Sequence, residues 1–134
     1  MKKTHNKYKK RLKHSKNLLK FGQFGFKIIN FKSISKKQNL LIITFINKKL
    51  KELTFKKKTK IWHNIPFNKN LTKLNIESRM GKGKGSIYTQ NSYLLPGTIF
   101  FEIEEINFKQ IEELFNYLKK KLSIKLTLIF KYNN

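Results

Sequence analysis

Arg79, Lys82 and Lys84 stand among Gly81, Gly83 and Gly85 in the run RMGKGKGS, residues 79–86. Cations interleaved with glycine are what a phosphate-binding loop needs. The side chains neutralise charge, and glycine lets backbone N–H groups come close to an oxyanion with no Cβ in the way. An enzyme can use such a loop to hold a nucleotide, and a binding protein can use it to touch nucleic-acid backbone. Spacing argues against the first use. A P-loop needs four residues between its first glycine and a Gly-Lys-Ser/Thr, and here Lys84 is followed by Gly85. The three glycines do not make G-x-G-x-x-G either. Both motifs open into a helix, whereas the following SIYTQNSYLL reads as extended chain.

No other constellation points to catalysis. His5, His14 and His63 are far apart, with no i, i+4 pair to hold a metal. There is no Cys, which removes disulfides and thiolate metal sites. Glu102 and Glu104 share one strand face near Glu105, and read as a solvated face or a counter-charge for lysines. General acid–base work needs a pocket, and nothing marks one. We therefore expect no enzyme, no catalytic residue, no metal, no cofactor and no small-molecule substrate.

The charge gives the loop its context. Thirty-one Lys and Arg face seven acids across 134 residues, a net +24. Self-repulsion on that scale opposes compact folding unless a polyanion neutralises it. Residues 1–20 carry nine basic residues and no acid, which reads as a basic N-terminal arm. Lys2, Lys3, Lys7, Lys9, Lys10, Arg11 and Lys13 are its candidate phosphate contacts. Phe21, Phe24 and Phe26 beside Lys20 and Lys27 fit base stacking next to phosphate neutralisation. Core packing explains any one of those rings as well. A membrane partner fits less, since the longest apolar run is residues 40–46 and a span needs about 20 residues. The N-terminal stretch has no secretory signal pattern and is not the Arg-rich kind of a transit peptide.

These groups need a scaffold, and 39% hydrophobic and 13% aromatic residues are enough to build one. A bend at Gly22 and Gly25 leads into a strand with Phe24, Phe26 and Ile28 on one face. Ser35 and Gln38 form a capping box for a helix to about Leu53, with a stripe at Ile43, Ile46, Leu50 and Leu53. Residues 60–66 favour a strand stopped by Pro66. A polar, Asn-rich stretch runs to Glu77, and the loop and an extended segment to Leu95 follow. Pro96-Gly97 marks a turn, and residues 98–104 alternate as a strand. Asn107 caps a second helix to about Leu122, with a stripe at Ile111, Leu114, Phe115, Leu118 and Leu122. Ile124, Leu126, Leu128 and Phe130 alternate in a last strand. Five or six strands and two helices on one face of a mixed or antiparallel sheet make an α+β two-layer sandwich. Residues 21–134 form the single domain behind the arm, with a long Gly-Lys loop. Five of the seven acids fall between residues 102 and 113, so one surface is strongly basic and another nearly neutral.

Several of these stretches, in order, resemble one family. RMGKGKG at 79–85 looks like the signature of large-subunit ribosomal protein sixteen, the bacterial and organellar form of a universal ribosomal protein. FGQFGFK at 21–27 resembles its F-G-x-F-G-x-K motif, and KIW at 60–62 the motif after its first helix. Pro66, Thr72, Lys73 and Glu77 fit its spacing toward the loop. Pro96, Gly97 and Glu102 fit P-G-x-x-x-x-E, and residues 121–131 resemble its K-L-P-I-K-T tail. The chain departs from the pattern at Leu74 and Ser123, where proline is usual, at Gln90, where tryptophan is usual, and at Leu126, where threonine is usual. Its arm is Lys-rich where relatives use more Arg.

The resemblance implies a structural constituent of the large ribosomal subunit. It implies large-subunit rRNA, A-site tRNA and neighbouring large-subunit proteins as partners, and no membrane. Phe21, Phe24 and Lys27 would then join the arm lysines on rRNA. Arg79, Met80, Gly81, Lys82, Gly83, Lys84 and Gly85 would form the loop facing rRNA and tRNA, near the peptidyl transferase region. The chain has no Ala, Val or Asp and is rich in Lys, Asn, Ile and Phe, whose codons are largely A and U. That bias is common in organellar genomes, and together with the departures from the bacterial-like pattern it favours the mitochondrial ribosome, in the matrix, over the plastid one. The rivals are a free-standing basic RNA-binding module outside the ribosome and, less well supported, a basic membrane-surface protein.

Overall fold

In a computed structural model of the chain, residues 17–55, 58–63, 65–81 and 83–131 are described. They form strand β1 (Phe24–Ile28), β2 (Lys32–Ser35), helix α1 (Lys36–Leu53), β3 (Lys60–His63), β4 (Lys69–Lys73), β5 (Ser86–Leu94), β6 (Ile99–Glu104), α2 (Phe108–Lys121) and β7 (Leu126–Phe130). The class is α+β. The strands divide between two antiparallel sheets, one ordered β3-β6-β1-β7 and one ordered β2-β5-β4. The sequence pattern anticipates a single sheet of five or six strands. β2 and β4 are the additions, and both flank β5.

Alternation along β1 and β6 explains the core. Phe24 pairs with Ile103 and Phe26 with Phe101, which places these four side chains on one face of the larger sheet. Phe26 and Phe101 stack with centroids 4.4 Å apart. Ile42, Ile46 and Leu50 of α1 and Ile111, Leu114 and Leu118 of α2 join them in one buried cluster. Burying side chains of this size contributes about 1.5–3 kcal/mol each. In α1 the buried stripe starts at Ile42, one residue before the Ile43 of the sequence reading. Phe100 is an extra residue in β6, since the register passes from Phe26↔Phe101 to Lys27↔Ile99. Such a bulge sharpens the local twist of the sheet.

The helix ends follow from capping. Gln38 N–H donates to Ser35 Oγ at 3.2 Å, and Ser35 N–H donates to Gln38 Oε1 at 3.0 Å, the reciprocal box expected for α1. Asn107 N–H donates to Gln110 Oε1 at 3.3 Å at the start of α2. Gln110 Nε2 also donates to the Leu53 carbonyl at 2.9 Å, tying α2's first turn to α1's last. The two sheets meet where β1 runs on into β2 and β5 into β6. There Gly97 N–H donates to the Ile28 carbonyl at 2.7 Å, and Ile28 N–H to the Thr98 carbonyl at 2.9 Å.

Candidate nucleic-acid interface

The hairpin of β4 and β5 carries the Gly-Lys loop, residues 74–85. The two strands pair from Lys69↔Asn91 to Lys73↔Ser86, with Tyr88 as an extra residue in β5. Little of this sheet is apolar core, where only Ile34 and Leu94 are deeply buried hydrophobics. Its geometry rests on backbone pairing and on glycine. Gly81 has φ +93° and Gly83 φ +82°, a region that side-chain-bearing residues avoid, and no atom lies within 4 Å of a Cβ built on either. Gly85 serves differently. A Cβ there would press on the main chain of Lys73 and Leu74, so glycine closes the base of the hairpin.

The loop presents cations and bare apolar side chains together. Arg79 and Lys84 are exposed. Met80 and Ile76 are each 97% exposed. Beside them lies an open cleft of about 680 Å³, lined by Lys73, Leu74, Asn75, Ile76, Ser86 and Tyr88 among others. Backbone N–H groups, ammonium groups and an apolar tip on one projection suit a polyanion that also offers flat bases. Lys82 lies outside the described residues, as do Lys2, Lys3, Lys7, Lys9, Lys10, Arg11 and Lys13.

The start of the domain is held by a carboxylate that the sequence reading places in solvent. Glu102 is 1% exposed. Its Oε2 accepts hydrogen bonds from the Phe21 N–H at 2.8 Å and the Gly22 N–H at 2.7 Å, and the Lys20 N–H reaches the same carboxylate at 3.2 Å. The expectation of a wet face fails because β6 is covered on both sides: the helices take one face, and residues 19–22 lie over the other. A Cβ on Gly22 would stand 2.9 Å from both the Glu102 Cβ and the Ile103 backbone. Phe21 stacks on Trp62, with centroids 5.9 Å apart. The signal for Glu102 is an acid inside the run IFFEIEE, matched by a glycine-bearing segment whose amides can come close.

The remaining candidates separate by strand face. Phe24 is 5% exposed, its ring against Phe108, so it belongs to the core and has no face free for a base. Phe21 is 56% exposed and keeps one. Lys27 is half-buried on the opposite face from Phe24. His63 lies with its ring 6.0 Å from Phe101, and burial pushes its imidazole below the usual pKa. Lys60 is raised above the usual value by its hydrogen bond to Glu105, at 3.0 Å, and by the charge of that carboxylate. Among the described residues no group of three His, Cys, Asp or Glu can hold a metal ion, and no helix is long and apolar enough to cross a membrane.

The described residues make a small basic α+β scaffold with a projecting Gly-Lys hairpin, the class of a structural binding protein. Comparison with known proteins narrows the class. The model of the family described as ribosomal protein L16p/L10e matches residues 1–129. "Large ribosomal subunit protein uL16m" of Chondrus crispus is 43% identical over 127 residues, covering 94% of this chain and 92% of that one. Large ribosomal subunit protein uL16 of Carsonella ruddii is 36% identical over 87% of this chain and 82% of its own. That of Thermosipho africanus is 30% identical, over 86% and 78%. The chain belongs to the ribosomal protein L16p/L10e family. It is a structural ribosomal component and not an enzyme.

Proposed function

We propose that this protein binds large-subunit rRNA and that its Gly-Lys hairpin lines the corridor of A-site tRNA near the peptidyl transferase region. The hairpin carries the reading: it leaves Arg79, Met80 and Lys84 exposed, and glycines at positive φ shape its tip. Lys2, Lys3, Lys7, Lys9, Lys10, Arg11 and Lys13 neutralise rRNA phosphates, and Phe21 offers its open face where the arm enters the domain. Arg79, Lys82 and Lys84 hold phosphate along the loop, and Gly81, Gly83 and Gly85 admit close backbone approach. Neighbouring large-subunit proteins meet the less basic surface around Glu112 and Glu113. The relative whose name carries the mitochondrial suffix supports a mitochondrial ribosome, in the matrix.

Two measurements test this. A photoreactive residue at position 80 in assembled ribosomes crosslinks to A-site tRNA or to adjacent rRNA, and a crosslink to neither overturns the loop assignment. Tagged protein sediments with the large subunit, whereas a free-standing RNA-binding module stays at the top of the gradient.

A further inference from the structure

We infer that Glu102 and Trp62 are positioning residues for rRNA binding, acting through the N-terminal arm without touching RNA themselves. The inference rests on the rRNA-binding reading above. Glu102 is the one acid among the deeply buried polar residues, and its oxygens face main-chain N–H groups of residues 20–22. A buried carboxylate is costly unless hydrogen-bonded, and backbone amides hold it in a fixed direction. The surroundings close the latch from every side. Trp62 pairs with Glu102 across β3 and β6, and its ring carries Phe21. Gly22 sits where any Cβ would strike the Glu102 Cβ. Leu19 packs over Gly25, where a Cβ would overlap its side chain.

These contacts converge on a short piece of main chain, residues 19–22, and that piece is where the run of nine basic residues ends. The course of the chain at residues 20–22, next to the basic run, is therefore set by a carboxylate on a central strand. An arm launched from a fixed point has fewer placements to lose on binding than one on a free hinge, so its lysines act at a higher effective concentration on one stretch of RNA. The latch spends a negative charge inside a +24 protein, which is sensible only if the geometry it fixes matters more than the charge it removes.

The test is a double-mutant cycle on the full-length chain with transcribed large-subunit rRNA. One mutation is Glu102→Gln, which keeps the side-chain shape and removes the charge. The other is an arm in which Lys2, Lys3, Lys7, Lys9, Lys10 and Lys13 are all changed to Gln. With the native arm, Glu102→Gln weakens binding by roughly tenfold or more, the scale of one charged hydrogen bond, and lowers the salt slope. With the neutral arm it changes binding by less than roughly twofold, because distant independent effects add and coupled ones do not. Equal losses in both backgrounds, or no loss with the native arm, overturn the inference. Trp62→Leu, which leaves the carboxylate in place, must give the same pattern and decides the matter if Glu102→Gln fails to fold. A wild-type protein that binds the transcript with no salt dependence overturns the rRNA reading itself, and this inference with it.

Discussion

Alanine at position 85 would place its Cβ 2.7 Å from the Leu74 nitrogen and closer still to the Lys73 carbonyl. Ordinary carbon contact begins at 3.4 Å and the Lys73 carbonyl carbon would stand at 2.5 Å, so the main chains must part by roughly 0.9 Å (3.4 − 2.5). Nothing there can rotate aside, because the obstacle is backbone. Overpacking of this kind costs about 1–3 kcal/mol. At Gly81 and Gly83 a methyl group meets open space, and the whole cost is the positive φ, about 1–2 kcal/mol. The totals are close, so the location of the damage discriminates. Hydrogen exchange on the purified chain reads it. Gly85→Ala raises exchange of the β4 and β5 amides by about 5- to 150-fold, the equivalent of that energy. The α2 amides around Leu114 stay as protected as in the wild type. Gly81→Ala and Gly83→Ala raise strand exchange by no more than about 5- to 30-fold, the φ penalty alone, and D-alanine at either site removes it. Wild-type protection of β4 and β5 in Gly85→Ala, or an equal loss in α2, would refute the assignment of Gly85 to hairpin closure.

Three further outcomes follow from the same geometry. Leu114→Ala removes a fully buried side chain between α2 and the larger sheet and lowers stability by about 2–5 kcal/mol, read as a lower urea midpoint with an unchanged slope. Lys84→Ala leaves the midpoint within about 0.5 kcal/mol and reduces the salt slope of rRNA binding by about one phosphate contact. His63 is held below its ordinary pKa of 6.5 by burial, so below that pH the unfolded chain binds more protons than the folded one. Stability therefore falls as pH drops below 6.5 and levels off beneath the folded value, and His63→Asn flattens the difference between melting temperatures taken at pH about 7.5 and about 5.5.

Local pattern and tertiary context divide what the sequence reveals. α2 is legible because Ile111, Leu114 and Leu118 recur at helical spacing behind Asn107, and nothing distant is needed to place them. The loop is legible because glycine and lysine spacing is itself local. α1 is legible in extent and in its stripe at Ile46, Leu50 and Leu53, and differs only at its start, because residues 40–43 are all apolar and the period alone cannot choose Ile42 over Ile43. β2 (KSIS) and β4 (KNLTK) escape detection because they are short and polar and exist by pairing with β5. Glu102 escapes because alternation assumes that one face of a strand is wet. The segment that dries its second face lies some eighty residues earlier in the chain. Phe24 and Phe21 share a residue type and a neighbourhood, and only the face of β1 and the presence of Trp62 tell them apart.

The order of strands has a consequence for how the protein comes into being. Every strand pairing among the described residues, β1 with β6 and β7, β2 with β5, β3 with β6 and β4 with β5, joins a partner before the Gly-Lys loop to one after it. The halves interleave like the fingers of two hands. A nascent chain that has emerged only as far as the loop has no sheet to form, whatever its helical content, and its lysines meet the surroundings first. Folding is therefore late and non-local, which slows it. A chain nicked in the loop would behave as two fragments, each without a sheet of its own and each the obligate template of the other. Loop length can vary between such fragments at small cost, since each doubling adds only about 0.6 kcal/mol of closure entropy.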